Sequence, residues 1–414
     1  MKNLTNKFGR VRQQSEKLVS TLSPEDFVVQ PVVDVSPPKW HLAHTTWFFE
    51  QFVLGNFDKT YRVYDEDFNY LFNSYYESVG KRVLRANRGN LTRPGVDEVL
   101  KYRTYVNEKM VDFLETYELT TEIHDIVELG LQHEQQHQEL LVTDIKYILG
   151  NNPLFPTFWK NKENQQTGGN LHDRYTEVEG GVYKIGYEGD DFHFDNEKGV
   201  HQVYLQPYRF QSRLITNGEY LEFMEAGGYR HFEHWLMEGW EWVKAEKVSA
   251  PLYWHKVDDE WYYYTLNGFE KVNLYEPVTH INFFEADAYA SWRGKRIMTE
   301  FEWEVACKKV EPRVDDQGNF VNSEYFRPKC NDNGHHQMFG DTWEWTSSAY
   351  LPYPYFQKAP GAIGEYNGKF MINQKVLRGG SCATPSDHIR HTYRNFFHPH
   401  LRWQFTGLRL AEHI

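Results

Sequence analysis

His133 and His137 stand four residues apart in the stretch GLQHEQQHQELLV. Imidazoles at that spacing project from one face of a helix, one turn apart, and can share a metal ion. Two ligands are too few for a functional site, so a third must come from elsewhere. The stretch KWHLAHTTW offers His41 and His44 on another expected helix. Helical bundles build metal sites in this way, from inward side chains of facing helices. Spacing alone does not choose between the two. Glu139, six residues beyond His133, falls about 240° round a helix at roughly 100° per residue. That lies off the histidine face, so three histidines make a better set than two histidines and Glu139. The plain alternative is a group of surface or hydrogen-bonded core histidines; a histidine-bearing partner helix favours the metal.

The elements that would position these rings are helical up to about residue 155. NKFGRVRQQSEKLVSTL is rich in helix formers, and SPPKWHLAHTTWFFEQFVL opens on Ser and Pro before Trp40, His44 and Trp47 at helical spacing. GVDEVLKYRTYVNEKMVDFLETY sets Val99, Tyr102, Val106, Met110 and Phe113 on one stripe. The fourth segment, TEIHDIVELGLQHEQQHQELLVTDIKYIL, has Ile126, Leu129, Leu140 and Ile145 as expected apolar contacts. Four such segments predict a four-helix bundle over residues 1–155. A long Gly-, Arg- and Asn-rich insert, YLFNSYYESVGKRVLRANRGNLTRPG, separates the second from the third, and long inserts in compact domains are often functional.

A polar Pro- and Gly-containing linker is expected at 156–174, after which the grammar changes. Residues 175–414 predict an α+β domain of short strands and turns, with helices only in VTHINFFEADAYASWRG and MTEFEWEVACKK. The whole is a multidomain α and α+β chain of 414 residues. Its net charge of −13 and lack of a basic block argue against nucleic acid. No apolar run approaches the roughly 20 residues of a membrane span, and the polar start MKNLTNKFGR is not that of a signal peptide. Cys307, Cys330 and Cys382 lack metal-type spacing and suit a reduced, cytoplasmic protein. Oligomeric state is not readable.

SPPKWHLAHTTWFFE, LFNSYYESVG and HEQQHQEL resemble the N-terminal DinB-like bundle of the ergothioneine-pathway sulfoxide synthases. The second half resembles their C-terminal domain, related to the formylglycine-generating (sulfatase-modifying, C-type-lectin-like) enzymes. The strings that carry this are VHQVYLQPYRFQSRLITNGEYLEFMEAGGY, PVTHINFFEADAYASWRGKRIMTEFEWEVA, FGDTWEWTSSAY, VLRGGSCATP and HTYRNFFHPHLRWQFTGLRLA.

The resemblance implies His44, His133 and His137 as ligands of a mononuclear Fe(II), with His41 a helix-face neighbour. Three imidazoles leave about three positions of an octahedral ion for substrate nitrogen, sulfur and O2. It implies oxidative joining of hercynine (trimethylhistidine) to a thiol, giving a C–S bond and a sulfoxide. Tyr75 and Tyr76 are the implied catalytic pair, Tyr76 the direct donor and Tyr75 its neighbour. Arg85 and Arg88 match the family spacing for the carboxylate of the thiol substrate. Gln136 is implied to contact the betaine, Asn395 its carboxylate, and Phe396 its trimethylammonium through cation–π attraction. Phe397 stands where relatives that take γ-glutamylcysteine have Asp, which makes free cysteine the expected donor.

Rival activities on this scaffold are γ-glutamylcysteine use, a selenosugar donor (selenoneine synthase) and an ovothiol-type reaction on histidine. A formylglycine-generating oxidase needs a cysteine pair after RGGS, whereas only Cys382 follows it here. A non-catalytic, metal-binding stress protein is the alternative of a different class.

Overall fold

Pro38 opens the second helix at its first position, where a missing N–H costs nothing. Every residue of that helix, Pro38–Phe49, is buried, as expected of a helix packed on all sides. The computed structural model describes residues 2–160, 174–311, 314, 318–330, 336–358, 364 and 367–414. The expected linker at 156–174 falls largely outside these residues. The chain divides into two units, one holding Met1–Trp159 and the other Lys160–Lys358 with Asn367–Ile414.

In the first unit, α1 (Lys2–Val19), α2 (Pro38–Phe49), α5 (Val96–Thr116) and α6 (Thr121–Gly150) form the four-helix bundle. Helix α2 runs on through a π-turn, Glu50–Leu54, into the single turn α3 (Gly55–Phe57). The insert carries the short helix α4 (Asp67–Phe72). All five stripe residues of α5, from Val99 to Phe113, are buried.

The apolar contacts of α6 differ from expectation: Ile126, Leu129 and Leu140 are half-buried, and Ile123, Val127, Leu131, Leu141 and Val142 join Ile145 in the core. The reason is that α6 buries charge as well as hydrocarbon. Glu134 accepts from Arg12 at 2.8 Å, Arg103 at 2.6 Å and Ser15 Oγ at 2.6 Å, a satisfied buried triad that ties α1, α5 and α6 together. Gly130 marks where α6 meets α2. A Cβ there would sit 2.7 Å from the Phe49 ring and 2.8 Å from the Phe48 ring, so only glycine permits this approach.

The second unit carries a four-stranded sheet of β1 (Tyr175–Val178), β4 (Tyr208–Gln211), β13 (Leu410–His413) and β8 (Arg296–Ile297), antiparallel throughout. A second is ordered β11 (Asn395–Phe397), β10 (Lys375–Arg378), β9 (Trp343–Ala349) and β12 (Thr406–Gly407), with only β12 parallel to its neighbour. A hairpin pairs β2 (Gly181–Ile185) with β3 (His201–Leu205). YWHKVDDEWYYYTLNG supplies most of a three-stranded meander, β5 (Trp254–Val257), β6 (Glu260–Thr265) and β7 (Gly268–Lys271).

The two helices expected here are α9 (Phe283–Trp292) and α10 (Glu300–Val310). Two more, α7 (Asn217–Glu225) and α8 (Met237–Glu246), were not expected. The capping box of Thr216 with Glu219 at the start of α7 is the signal that reveals it. Among the described residues no helix is long and apolar enough to cross a membrane.

Candidate metal centre

The close approach of α2 and α6 brings His44, His133 and His137 together, with ligand nitrogens all within 4.8 Å of one another. Ring centroids are 4.6 Å apart for His133 and His137, 4.9 Å for His44 and His137, and 5.0 Å for His44 and His133. His44 and His133 are buried and His137 is half-buried. Among the described residues this is the one such group of three His, Cys, Asp or Glu side chains.

Burial, reinforced by the neighbouring imidazoles, holds His44 and His137 well below the usual histidine range. Burial likewise takes His133 down to about 4, against the pull of Glu134. All three are therefore neutral near pH 7, the state in which imidazole binds metal. Nδ1 of His44 donates to the Phe72 carbonyl at 2.7 Å, which leaves Nε2 with its lone pair. Nδ1 of His133 is buried with no hydrogen-bond partner among the described residues. Three neutral nitrogen donors with no carboxylate suit iron, zinc, copper or nickel, and not calcium or magnesium. The residues present thus fit a ferrous ion.

Aromatic layers brace the site. The His44 ring lies between Trp40, at 4.6 Å and 14°, and Trp47, at 5.5 Å and 17°. The Arg88 guanidinium covers the Trp40 ring 3.3 Å from its centroid, a cation–π contact. Arg88 is buried, donating to Ser36 Oγ at 2.9 Å and Ser74 Oγ at 3.0 Å. Burial pushes it down to about 9. Arg85 donates to Tyr75 Oη at 3.3 Å and to the Asp34 carbonyl.

Tyr76 is buried against Trp47, with ring centroids 5.6 Å apart, and Phe52, at 5.2 Å. Tyr75 is half-buried beside Arg85, under the Arg82 guanidinium at 5.8 Å. The insert therefore brings one tyrosine onto the Trp47 layer behind His44 and the other onto the arginines. Gln136, next to His137, is half-buried on α6.

Asn395, Phe396 and Phe397 belong to the second unit, half-buried on β11. Phe396 stacks on Tyr350 at 4.1 Å and 10°, and Phe397 packs edge-on against Trp403 at 5.7 Å. The Asn395 carboxamide oxygen accepts from the Phe396 N–H at 2.9 Å.

Sequence reasoning passed over the tie between His41 and the site. Its Nδ1 lies 2.8 Å from Nδ1 of His137 and its Nε2 lies 2.9 Å from Asp144 Oδ2. The available signal was Asp144 itself, seven residues after His137 and so two turns along the same face of the helix.

A histidine centre in a helical bundle, carried in one chain with a mixed α/β domain, defines a two-part class of protein. Residues 7–141 match the DinB superfamily, and residues 160–329 and 311–414 match the Sulfatase-modifying factor enzyme 1-like domain. Hercynine oxygenase from Mycolicibacterium smegmatis is 30% identical over 407 residues, covering 91% of each chain. The chain belongs to the hercynine oxygenase family. Hercynine oxygenase from Mycobacterium tuberculosis is 34% identical over 245 residues, 53% of this chain and 56% of that one. Ergothioneine biosynthesis protein 1 from Schizosaccharomyces pombe is 28% identical over 53% of this chain and 28% of its own length.

Proposed function

We propose that this protein is an O2-dependent iron(II) enzyme that joins hercynine to L-cysteine, giving hercynylcysteine sulfoxide. The observation that carries the reading is the cluster of three neutral imidazoles within 4.8 Å, in a chain of the hercynine oxygenase family. In the balanced reaction the imidazole C–H and the cysteine S–H give way to a C–S bond. One oxygen atom of O2 ends on sulfur and the other leaves as water.

His44, His133 and His137 would hold the iron, which when bound would favour thiolate over thiol and relay to O2 the electrons that the two substrates give up. Arg88 and Arg85 would bind the cysteine carboxylate. Arg88 suits this because its guanidinium is buried on two serine hydroxyls and has no carboxylate partner among the described residues. Tyr76 is the proposed proton donor, with Tyr75 held beside it by Arg85. Gln136 would contact the betaine, and Asn395 and Phe396 its carboxylate and quaternary ammonium. Phe397, apolar, offers nothing to a glutamyl ammonium, which favours free cysteine. The three buried cysteines, none of them in a disulfide among the described residues, suit a cytoplasmic setting.

The test is anaerobic loading with Fe(II), then O2 with hercynine and, in separate arms, cysteine, γ-glutamylcysteine or a selenosugar, with products read by mass. Histidine in place of hercynine forms a further arm for the ovothiol-type reaction. Hercynylcysteine sulfoxide from the cysteine arm is expected. Product in another arm alone would reassign the substrate, and failure of every arm with iron bound would remove the assignment. His44→Ala should abolish stoichiometric iron uptake.

A further inference from the structure

The His41–Asp144 pair lies outside every role assigned above, yet its hydrogen bonds point at a proposed ligand. Both side chains are buried, at 3% and 1% exposure. Asp144 Oδ2 accepts from the Ser36 backbone N–H at 2.8 Å and lies 2.9 Å from His41 Nε2. A carboxylate can only accept, so His41 Nε2 carries the proton. The 2.8 Å contact between Nδ1 of His41 and Nδ1 of His137 admits a single proton, and for His137 to ligate through Nε2 that proton must sit on His137, with His41 accepting. That leaves His137 Nε2 bare. The outcome matches His44, whose Nδ1–H is spent on the Phe72 carbonyl.

We infer that Asp144 and His41 form a positioning relay that fixes His137 as the Nδ1–H tautomer and aims its Nε2 at the metal. The inference rests on the metal-centre reading and extends it to the residues behind the ligand. Partners of this kind set the orientation and basicity of ligating histidines, and their loss typically weakens metal binding about 10–100-fold. The relay also crosses between helices: His41 sits on α2, while His137 and Asp144 sit on α6.

Two measurements test this on the full chain. The first is a long-range 1H–15N correlation spectrum of the metal-free protein labelled at histidine nitrogen. His137 is expected to be protonated at Nδ1 and bare at Nε2, and the opposite tautomer would overturn the relay. The second is Co(II) titration, followed by visible absorption, of the unaltered chain, His41→Phe and His41→Gln. The Gln amide can accept from His137 and donate to Asp144, so it should stay near the unaltered affinity, whereas Phe should lose about 10–100-fold. In His41→Phe the His137 nitrogens should also lose their fixed tautomer, a change that a merely space-filling role would not produce. Equal affinity in His41→Phe and the unaltered chain would remove the relay alone, as would Gln falling as far as Phe. No cobalt uptake by the unaltered chain would instead remove the metal reading beneath it.

Discussion

Arg88 in the helical unit and Arg409 in the mixed unit are both buried guanidinium groups, but they are satisfied differently. Arg409 closes a bidentate pair on Glu344, at 2.8 and 2.9 Å, and donates two further N–H groups to the Gln211 and Gln337 carbonyls. Arg394 does the same with Glu300, at 2.8 and 3.0 Å. Arg88 has two neutral serine oxygens and an indole face. A buried charge that serves the fold comes with its counter-charge, because each partner offsets the desolvation of the other. A buried charge without one is costly to the fold, and the cost makes sense if the missing anion arrives with a substrate.

The sharpest way to break the contrast is to delete a counter-charge. Glu344→Ala should destabilise the second unit by about 3–5 kcal/mol, since Arg409 is left buried and alone; chemical denaturation reads this. Arg88→Met should behave in the opposite sense. The melting temperature of the metal-free chain should hold or rise, while KM for cysteine rises about 10–100-fold, the equivalent of a lost charge-assisted hydrogen bond. Cysteamine, which lacks the carboxylate, should be used equally by both forms. A large drop in melting temperature for Arg88→Met would make Arg88 structural, like Arg409.

A third expectation concerns acid. Burial alone would raise the pKa of Glu300, but Arg394 and Arg378 more than offset it and hold it below 4.5. A carboxylate depressed on folding stabilises fully above its unfolded value, near 4.5, and loses that contribution as pH falls through the lower folded value. The melting temperature of the unaltered chain should therefore fall more steeply below pH 4.5 than that of Glu300→Gln. The smallest effect is expected at the exposed Lys184–Glu188 pair, 3.0 Å apart. Lys184→Ala should change stability by no more than about 0.5 kcal/mol.

What could be read from the chain alone divides along the same line. Helix periodicity exposed the bundle because all five stripe positions of α5 are buried. It misjudged α6, where Glu134 and Gln138 take buried positions that a hydropathy pattern assigns to solvent. His133 and His137 were legible from spacing, whereas the choice of His44 over His41 needed either a family resemblance or coordinates. Those two histidines stand three positions apart, so both sit near the same helix face, and only the coordinates show that His44 is the one that clusters with His133 and His137. Strings such as FGDTWEWTSSAY and GLRLA, which mark the family, carry Glu344 and Arg409 and so belong to the architecture. Helix α7 was announced by its capping box and still overlooked, because its nine residues lie in a turn-rich stretch.

The contact at Gly130 has a mechanical consequence. Two of the proposed ligands ride on one continuous helix and the third on the helix it touches, so the helices act as the jaws of a vice whose gap is set by that glycine. A single methyl there would meet two phenyl rings below 3 Å and work as a wedge, prising His44 from His133, one turn along, and His137, two turns along. Gly130→Ala would then tune the grip on the ion without altering any atom that touches it.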